Sequence, residues 1–205
     1  MVLEEILIHA KNLNYLGKPP VQDHISNAKG FIRTINELKT DLTKGKLVDL
    51  GSGGGVPALI LIDYFKNWEF VLIERKEKRA EFLSWAIKKL NTGKRIEIIC
   101  DEVENVARNS EYEATIDFVT ARSFAPPPAT AECACRFLKK NRYLVVSEPP
   151  NTTNRWENIA LKETGFIPLK VTKQENGTFQ VLELLEEPSS RLPRRPGVPR
   201  KRPLW

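Results

Sequence analysis

The sequence has few cysteines and no long apolar run, and each absence argues against particular classes of protein. Only Cys100, Cys133 and Cys135 occur among 205 residues, and no two form a Cys-x-x-Cys pair. So sparse and odd a set argues against a disulfide framework and a zinc site, and it fits a reducing cytoplasm. No apolar stretch approaches the roughly 20 residues of a membrane span. The acidic start of the chain, residues 1–5, is unlike a signal peptide. We therefore expect a cytoplasmic protein with no metal and no membrane partner.

Acidic residues are missing from the end of the chain. The formal net charge is +6, and residues 191–205 hold six basic residues and no acid. The remaining 190 residues carry 26 basic and 26 acidic side chains, so the tail supplies the whole excess. A concentrated basic segment is typical of proteins that bind a phosphate-rich partner. The alternative is a solvated tail that only improves solubility.

Periodicity divides the chain into a helical prefix (1–40), a main domain (41–188) and a basic Pro/Arg-rich tail (189–205). Apolar residues at helical spacing predict a helix over 3–16, and Asp23 could cap a second one. From residue 46 onward strands and helices alternate, with a helix predicted over 129–140. This alternation predicts a doubly wound α/β fold, a mostly parallel sheet with helices on both faces. The predicted strands are 47–50, 69–74, 95–100, 116–121, 143–146, 166–172 and 179–185. Asn176-Gly177 predicts a tight hairpin between the last two.

A glycine loop, Asp49-Leu50-Gly51-Ser52-Gly53-Gly54-Gly55-Val56-Pro57, follows the first strand. Glycines between a strand and a helix let the backbone approach a ligand closely. Val56 stands where a dinucleotide fingerprint has its last glycine, so the pattern is incomplete for NAD. Glu74 ends the second strand, 23 residues after Gly51, where a carboxylate can bind ribose hydroxyls. The loop predicts a nucleoside cofactor; the alternatives are an empty glycine turn and, for Glu74, a helix cap.

The sequence is also poor in groups for acid–base or covalent chemistry. Its two histidines, His9 and His24, fall in the predicted prefix helices and are more typical of structural or exposed positions. Thr120 to Ala125 reads TARSFA, without the Asp/Asn-Pro-Pro-aromatic run that is typical of amino-group methyltransferases. Cys133 and Cys135 fall in a predicted helix, not where a carbon-5 methyltransferase needs a nucleophile. Among the acceptors of a methyl group, guanine N7 fits these absences. Its lone pair can attack the methyl group of a sulfonium cofactor without losing a proton, so the reaction needs only alignment of the two reactants.

Five ordered segments resemble one family, the bacterial small-subunit rRNA guanine-N7 methyltransferases, also called the glucose-inhibited division protein B family. They are DLGSGGGVP (49–57), ERKEKRAEFL (74–83), EVENV (102–106), VTARSFA (119–125) and RRPGVPRKRPL (194–204). The resemblance implies a Rossmann-like class I methyltransferase sheet with an antiparallel last strand. It also implies S-adenosylmethionine (SAM) as cofactor and 16S ribosomal RNA, free or in the small ribosomal subunit, as partner. We expect a monomer.

The resemblance also implies roles for particular residues, with none acting as an acid, base or nucleophile. Cofactor contacts would come from Gly51, Ser52, Gly53, Val56, Glu74, Val103, Glu104 and Arg122. RNA contacts would come from Lys78, Arg79, Arg122, Arg194, Arg195, Arg200, Lys201 and Arg202. The alternatives are a solvated helix face for Lys78 and Arg79 and a structural role for Arg122.

The chain departs from the family pattern in two places, both on the substrate side. Ser147-Glu148-Pro149-Pro150 stands where the family commonly has Lys-Gly, and the helical prefix is short. These departures leave open another RNA or a small molecule as acceptor, or a non-catalytic RNA-binding relative. A NAD oxidoreductase is the most distant alternative.

Overall fold

A computed structural model describes residues 2–38, 43–149, 155–175 and 177–205. Met1, the junction between prefix and main domain (39–42), residues 150–154 and Asn176 lie outside the described residues. The strands are β1 (Lys46–Leu50), β2 (Glu69–Ile73), β3 (Ile96–Ile99), β4 (Ile116–Arg122), β5 (Leu138–Glu148), β6 (Phe166–Gln174) and β7 (Gly177–Leu184). The helices are α1 (Val2–Asn12), α2 (Val21–Asn36), α3 (Ala58–Tyr64), α4 (Glu77–Leu90), α5 (Val103–Val106), α6 (Pro127–Ala134) and α7 (Val198–Lys201). Two 3₁₀ turns, Gly93–Arg95 and Ile159–Thr164, complete the described elements.

The strands form one seven-stranded sheet in the order β3-β2-β1-β4-β5-β7-β6. The first five are parallel, and β7 is antiparallel to both β5 and β6. The doubly wound sheet with an antiparallel last strand is therefore confirmed. Gln174 stands opposite Gly177 in the β6–β7 ladder, so the predicted hairpin is confirmed as well.

Alternate residues of the central strands enter two separate cores, as the two-residue period of a strand requires. Val48 and Leu50 of β1 pack into one core, and Leu47 packs into the other. The second core also contains Ile6, Leu7 and Ala10 of α1 and Phe31 of α2, all buried. The helical prefix thus packs on one face of the sheet together with α3 and α4.

The predicted helix over 129–140 is wrong in its second half. Helix α6 ends at Ala134, and β5 begins at Leu138, five residues before the predicted strand. The carbonyl of Phe137 accepts the amides of Thr115 and Ile116, and Leu138 stands opposite Ile116. Pairing with the neighbouring strand therefore overrides the local helical pattern. This pairing cannot be predicted from a short stretch of sequence.

The C-terminal tail, residues 189–205, lies folded against the main domain. Arg108 donates to the carbonyls of Pro193 (2.7 Å) and Arg191 (2.9 Å). Leu192 is fully buried, and Leu204 and Trp205 pack against the first core. Among the described residues, no helix is long and apolar enough to cross a membrane.

Candidate functional site

The glycine loop lies at the carboxyl edge of the sheet, between β1 and α3. Strand β1 has β2 on one side and β4 on the other, so the connections from it diverge and leave a crevice above its end. The backbone has a φ of +66° at Gly51 and +55° at Gly53, a region that side chains rarely adopt. The amide of Ser52 donates to the carbonyl of Ile73 at 3.0 Å, which ties the loop to the end of β2.

Glu74 joins the end of β2 to this loop. It is 4% exposed, and its two carboxylate oxygens accept the amides of Gly53 and Lys76, each at 2.9 Å. A Cβ at Gly53 would stand 4.0 Å from a Glu74 oxygen and 3.8 Å from a guanidinium nitrogen of Arg79. The bare backbone therefore keeps a space open between a carboxylate and a cation. If Glu74 were only a helix cap, it would accept the amide of Lys76, but its bond to the amide of Gly53 would have no explanation.

Two cavities meet at the glycine loop. The Glu74 cavity, about 200 Å³, is lined by Gly51, Glu74, Val103 and Glu104 among others. The loop cavity, about 390 Å³, lies on the prefix side. It is lined by Leu16, Gly51, Ser52, Gly53, Val56 and Arg122 among others. Gly51, Arg79 and Ser123 line both. Each of the eight residues predicted for the cofactor thus borders at least one of these two adjoining cavities.

That crevice fits a nucleoside with an amino-acid extension. The Glu74 cavity offers a carboxylate for ribose hydroxyls and the buried side chain of Val103 for a flat base. The loop cavity offers exposed backbone and two guanidinium groups, from Arg79 and Arg122. Among the described residues, no group of three or more His, Cys, Asp or Glu side chains could hold a metal ion.

Arg122, at the end of β4, is fixed by a histidine that the sequence did not single out for the site. A guanidinium nitrogen lies 2.5 Å from Nδ1 of His24 in α2, and Nε2 of His24 lies 3.3 Å from the carbonyl of Gly17. Burial and the nearby guanidinium lower the pKa of His24 below its usual value. The neutral imidazole thus accepts from Arg122 and donates to Gly17. Because 98 residues separate the partners, only the tertiary fold brings them together.

A third cavity, the Trp156 cavity of about 350 Å³, borders Arg122 on the other side and includes Phe124, Glu148 and Trp156. Glu148 belongs to the segment that departs from the family pattern. Its carboxylate accepts from Arg155 at 2.6 Å and from the indole of Trp156 at 2.9 Å. The acid is therefore compensated by a cation from its own chain.

The residues predicted to bind RNA separate into two groups. Lys78, Arg195, Lys201 and Arg202 are exposed, and Arg79 packs over the ring of Tyr15 at 5.4 Å. Arg194 instead donates to both carboxylate oxygens of the buried Glu132, at 2.9 and 2.6 Å. Arg200 packs over the ring of Phe124 and lines the Glu74 cavity. Arg194 and Arg200 are thus engaged with the main domain.

Asp49, on β1 below the loop, is a buried carboxylate. It accepts from the hydroxyl of Thr120 at 2.7 Å, and no Lys or Arg nitrogen among the described residues lies within 4 Å. Burial raises its pKa from 3.8 to about 6, against the hydrogen bonds from Thr120 and Ser52.

Replacing this carboxylate is expected to stabilise the protein. Between pH 3.8 and 6 the unfolded chain has released the Asp49 proton while the folded protein keeps it, so this group lowers stability as pH rises. Above pH 6 the loss is complete, at about 3 kcal/mol. Asp49→Asn is therefore expected to raise the free energy of unfolding at pH 7.5 by about 1–3 kcal/mol. The gain should vanish below pH 4; urea unfolding across pH measures both.

Asp117, on the neighbouring strand β4, provides the matched control. It is also buried, but Lys139 and Arg142 lie 3.0 and 3.1 Å from its carboxylate. Asp117→Asn should therefore destabilise the protein at pH 7.5. Equal destabilisation by the two substitutions would contradict the account of Asp49.

The sheet order, the reversed β7 and the loop at the end of β1 define the class of protein, that of the class I SAM-dependent methyltransferase fold. Similar solved structures include a SAM-dependent methyltransferase from Aquifex aeolicus, with a TM-score of 0.59 and 16% identity over 88% of this chain and 98% of that one. Geranyl diphosphate C-methyltransferase from Streptomyces coelicolor gives a TM-score of 0.60 with 10% identity over 78% of this chain and 79% of that one. At these identities the likeness shows the fold.

The family follows from sequence. The family model described as rRNA small subunit methyltransferase G matches residues 7–176, and the chain belongs to this family. Ribosomal RNA small subunit methyltransferase G of Thermotoga sp. strain RQ2 is 32% identical over 86% of this chain and 78% of that protein. The protein of the same name from Syntrophomonas wolfei is 28% identical over 100% of this chain and 95% of that protein. The predicted family is confirmed.

Proposed function

We propose that this chain is a SAM-dependent methyltransferase that methylates guanine N7 in 16S ribosomal RNA. The observation that carries the proposal is Glu74, buried at the end of β2 and hydrogen-bonded to the amide of Gly53 in a loop of bare backbone. Family membership supports the methyltransferase class and the ribosomal RNA. The RNA would be met in the cytoplasm, and a monomer suffices because one chain contains the whole crevice.

The cofactor supplies an electrophilic methyl group on sulfur when bound. Glu74 would accept hydrogen bonds from the ribose hydroxyls, and Val103 and Glu104 would contact the adenine. Gly51, Ser52, Gly53 and Val56 would border the amino-acid end of the cofactor. Arg122, which borders both the loop cavity and the Trp156 cavity, would hold the acceptor base against the methyl group. Alignment of acceptor and methyl group is the main contribution to rate.

The absence of a base in this mechanism fits the chemistry of guanine N7. His24, the imidazole at the crevice, has both nitrogens engaged, one by Arg122 and one by the carbonyl of Gly17. Cys133 and Cys135 are buried in the first core, and burial raises the pKa of Cys135 to about 12. Neither group is available to remove a proton or attack a base, and methyl transfer to N7 requires neither.

Another acceptor was suggested by Ser147-Glu148-Pro149 in place of Lys-Gly. The ion pair between Glu148 and Arg155 weakens that argument, because it neutralises the acid that would repel RNA phosphates. Radiolabelled SAM incubated with small subunits and with deproteinised rRNA, followed by nucleoside mass spectrometry, separates the acceptors. We expect N7-methylguanosine from 16S rRNA. Label only in other nucleosides or small molecules would contradict the proposal.

The exposed cations of the tail are proposed to contact RNA phosphates. The side chains of Arg195, Lys201 and Arg202 have no hydrogen-bond or ion-pair partner among the described residues. Replacing all three by alanine should remove three phosphate contacts. The slope of log affinity against log salt, which is negative, should then become less steep by about 2. RNA binding measured by fluorescence anisotropy between low and physiological salt gives this slope.

The control removes the same number of positive charges at the edge of the sheet opposite the glycine loop. Lys88 and Lys89 lie in the last turn of α4, and Lys94 lies in the following 3₁₀ turn; all three are exposed. Alanine at these positions should leave the slope unchanged. Equal slopes for the two triple variants would mean that net charge, and not the tail, governs RNA binding.

A further inference from the structure

The backbone of the tail contacts a residue that lines the Glu74 cavity. The amide of Gly197 donates to a carboxylate oxygen of Glu104 at 3.0 Å. Glu104 is 4% exposed and lines that cavity, so its second function is to hold the tail. The tail therefore touches a residue that we propose for the cofactor.

Arg200 makes a second contact with the same cavity. It donates to the carbonyl of Phe124 at 2.7 Å, and its guanidinium carbon lies 4.9 Å from the centroid of the Phe124 ring. Both residues line the Glu74 cavity. The Phe124 ring in turn lies over the loop, where a Cβ at Gly51 would stand only 2.9 Å from it. Arg200 thus holds an aromatic ring against the first glycine.

The tail is anchored on both sides of these contacts. Before them, Arg194 forms its ion pair with the fully buried Glu132, and Arg136 donates to the carbonyls of Leu192 and Ser190. After them, the Trp205 indole donates to the carbonyl of Arg155 at 3.4 Å. A segment that served only solubility would need none of these contacts.

We propose that the C-terminal tail is a wall of the cofactor cavity and that Arg200 is its positioning residue, acting through Phe124. This inference rests on the proposed function and deepens it, because it ties cofactor affinity to the segment that also carries RNA-facing cations. The wall borders Glu74, Val103 and Glu104, so it acts on the adenosine part of the ligand.

Two ligands test this placement. S-adenosylhomocysteine has both the adenosine and the amino-acid part, whereas 5′-methylthioadenosine lacks the amino acid. Arg200→Ala should weaken both by about tenfold in calorimetry, because the Phe124 ring is then no longer held in place and must be ordered when the ligand binds. Arg200→Lys should restore part of the loss. The KM for SAM should rise by a similar factor, with kcat at saturating SAM within twofold of wild type.

Lys201→Ala is the matched control for ligand affinity. Lys201 is the next residue, it is exposed, and it does not line the cavity, so both ligands should bind it as they bind wild type. Thermal unfolding without ligand should show that Arg200→Ala is folded, as expected for an exposed side chain.

Two results would overturn the inference: unchanged affinity of Arg200→Ala for both ligands, or a loss confined to S-adenosylhomocysteine. The second would put Arg200 at the amino-acid end. Failure of the wild-type protein to bind either ligand would instead overturn the proposed function on which the inference rests.

Discussion

Glu74→Gln is expected to weaken binding of S-adenosylhomocysteine by about 100-fold, the largest effect on cofactor affinity that we predict. Hydrogen bonds to a charged group are worth about 1.5–3 kcal/mol each, and the carboxylate would accept from two ribose hydroxyls. It also accepts the amides of Gly53 and Lys76. A glutamine has one acceptor oxygen, and its amide group would face one of those two donors. Isothermal titration calorimetry measures the loss.

A second glutamate of the same cavity serves as the control. The carboxylate of Glu102 lies 3.2 Å from Arg75 in an exposed ion pair, and Glu102 also lines the Glu74 cavity. Because exposed ion pairs contribute little, Glu102→Gln should change the affinity by less than about threefold. If Glu74→Gln bound the ligand as tightly as Glu102→Gln does, the ribose contact would have to be abandoned.

Arg122→Ala is expected to lower kcat/KM for the RNA substrate by about 100- to 1000-fold, since misplacing reactants by about 1 Å can cost 100-fold. Arg122 borders both the loop cavity and the Trp156 cavity. Its guanidinium is held by His24, so the side chain is already positioned before substrates bind. Affinity for S-adenosylhomocysteine should fall far less, because Glu74 and the loop remain. Single-turnover methylation with small subunits separates the two effects.

Two further variants test what Arg122 contributes. Arg122→Lys keeps the charge but loses the planar fork, so it should recover only part of the rate. Arg33, exposed on the same helix as His24, gives a control in Arg33→Ala, which should methylate at the wild-type rate. Normal turnover by Arg122→Ala would assign Arg122 a structural role.

The sequence predicts the parts of the fold that depend on local pattern. The alternation of strands and helices, the glycine loop after β1 and the hairpin before β7 need only neighbouring residues, and the structure confirms them. The second half of the helix predicted over 129–140 fails because strand pairing at Leu138 is a tertiary effect. No local window contains it.

The same distinction separates what was predicted of the site from what was missed. The five family segments indicate Glu74 and the loop because each motif is contiguous. His24 carries no such signal, since its partner Arg122 is remote in sequence. Composition identifies the tail as a basic segment. It cannot show that Arg194 has a buried partner in Glu132.

A crystal structure of the protein with S-adenosylhomocysteine tests the central claim most directly. The account predicts adenosine in the Glu74 cavity, with ribose hydroxyls within hydrogen-bond distance of the Glu74 carboxylate and the amino-acid part along Gly51 to Gly53. Ligand bound elsewhere, with the loop empty, would contradict the account.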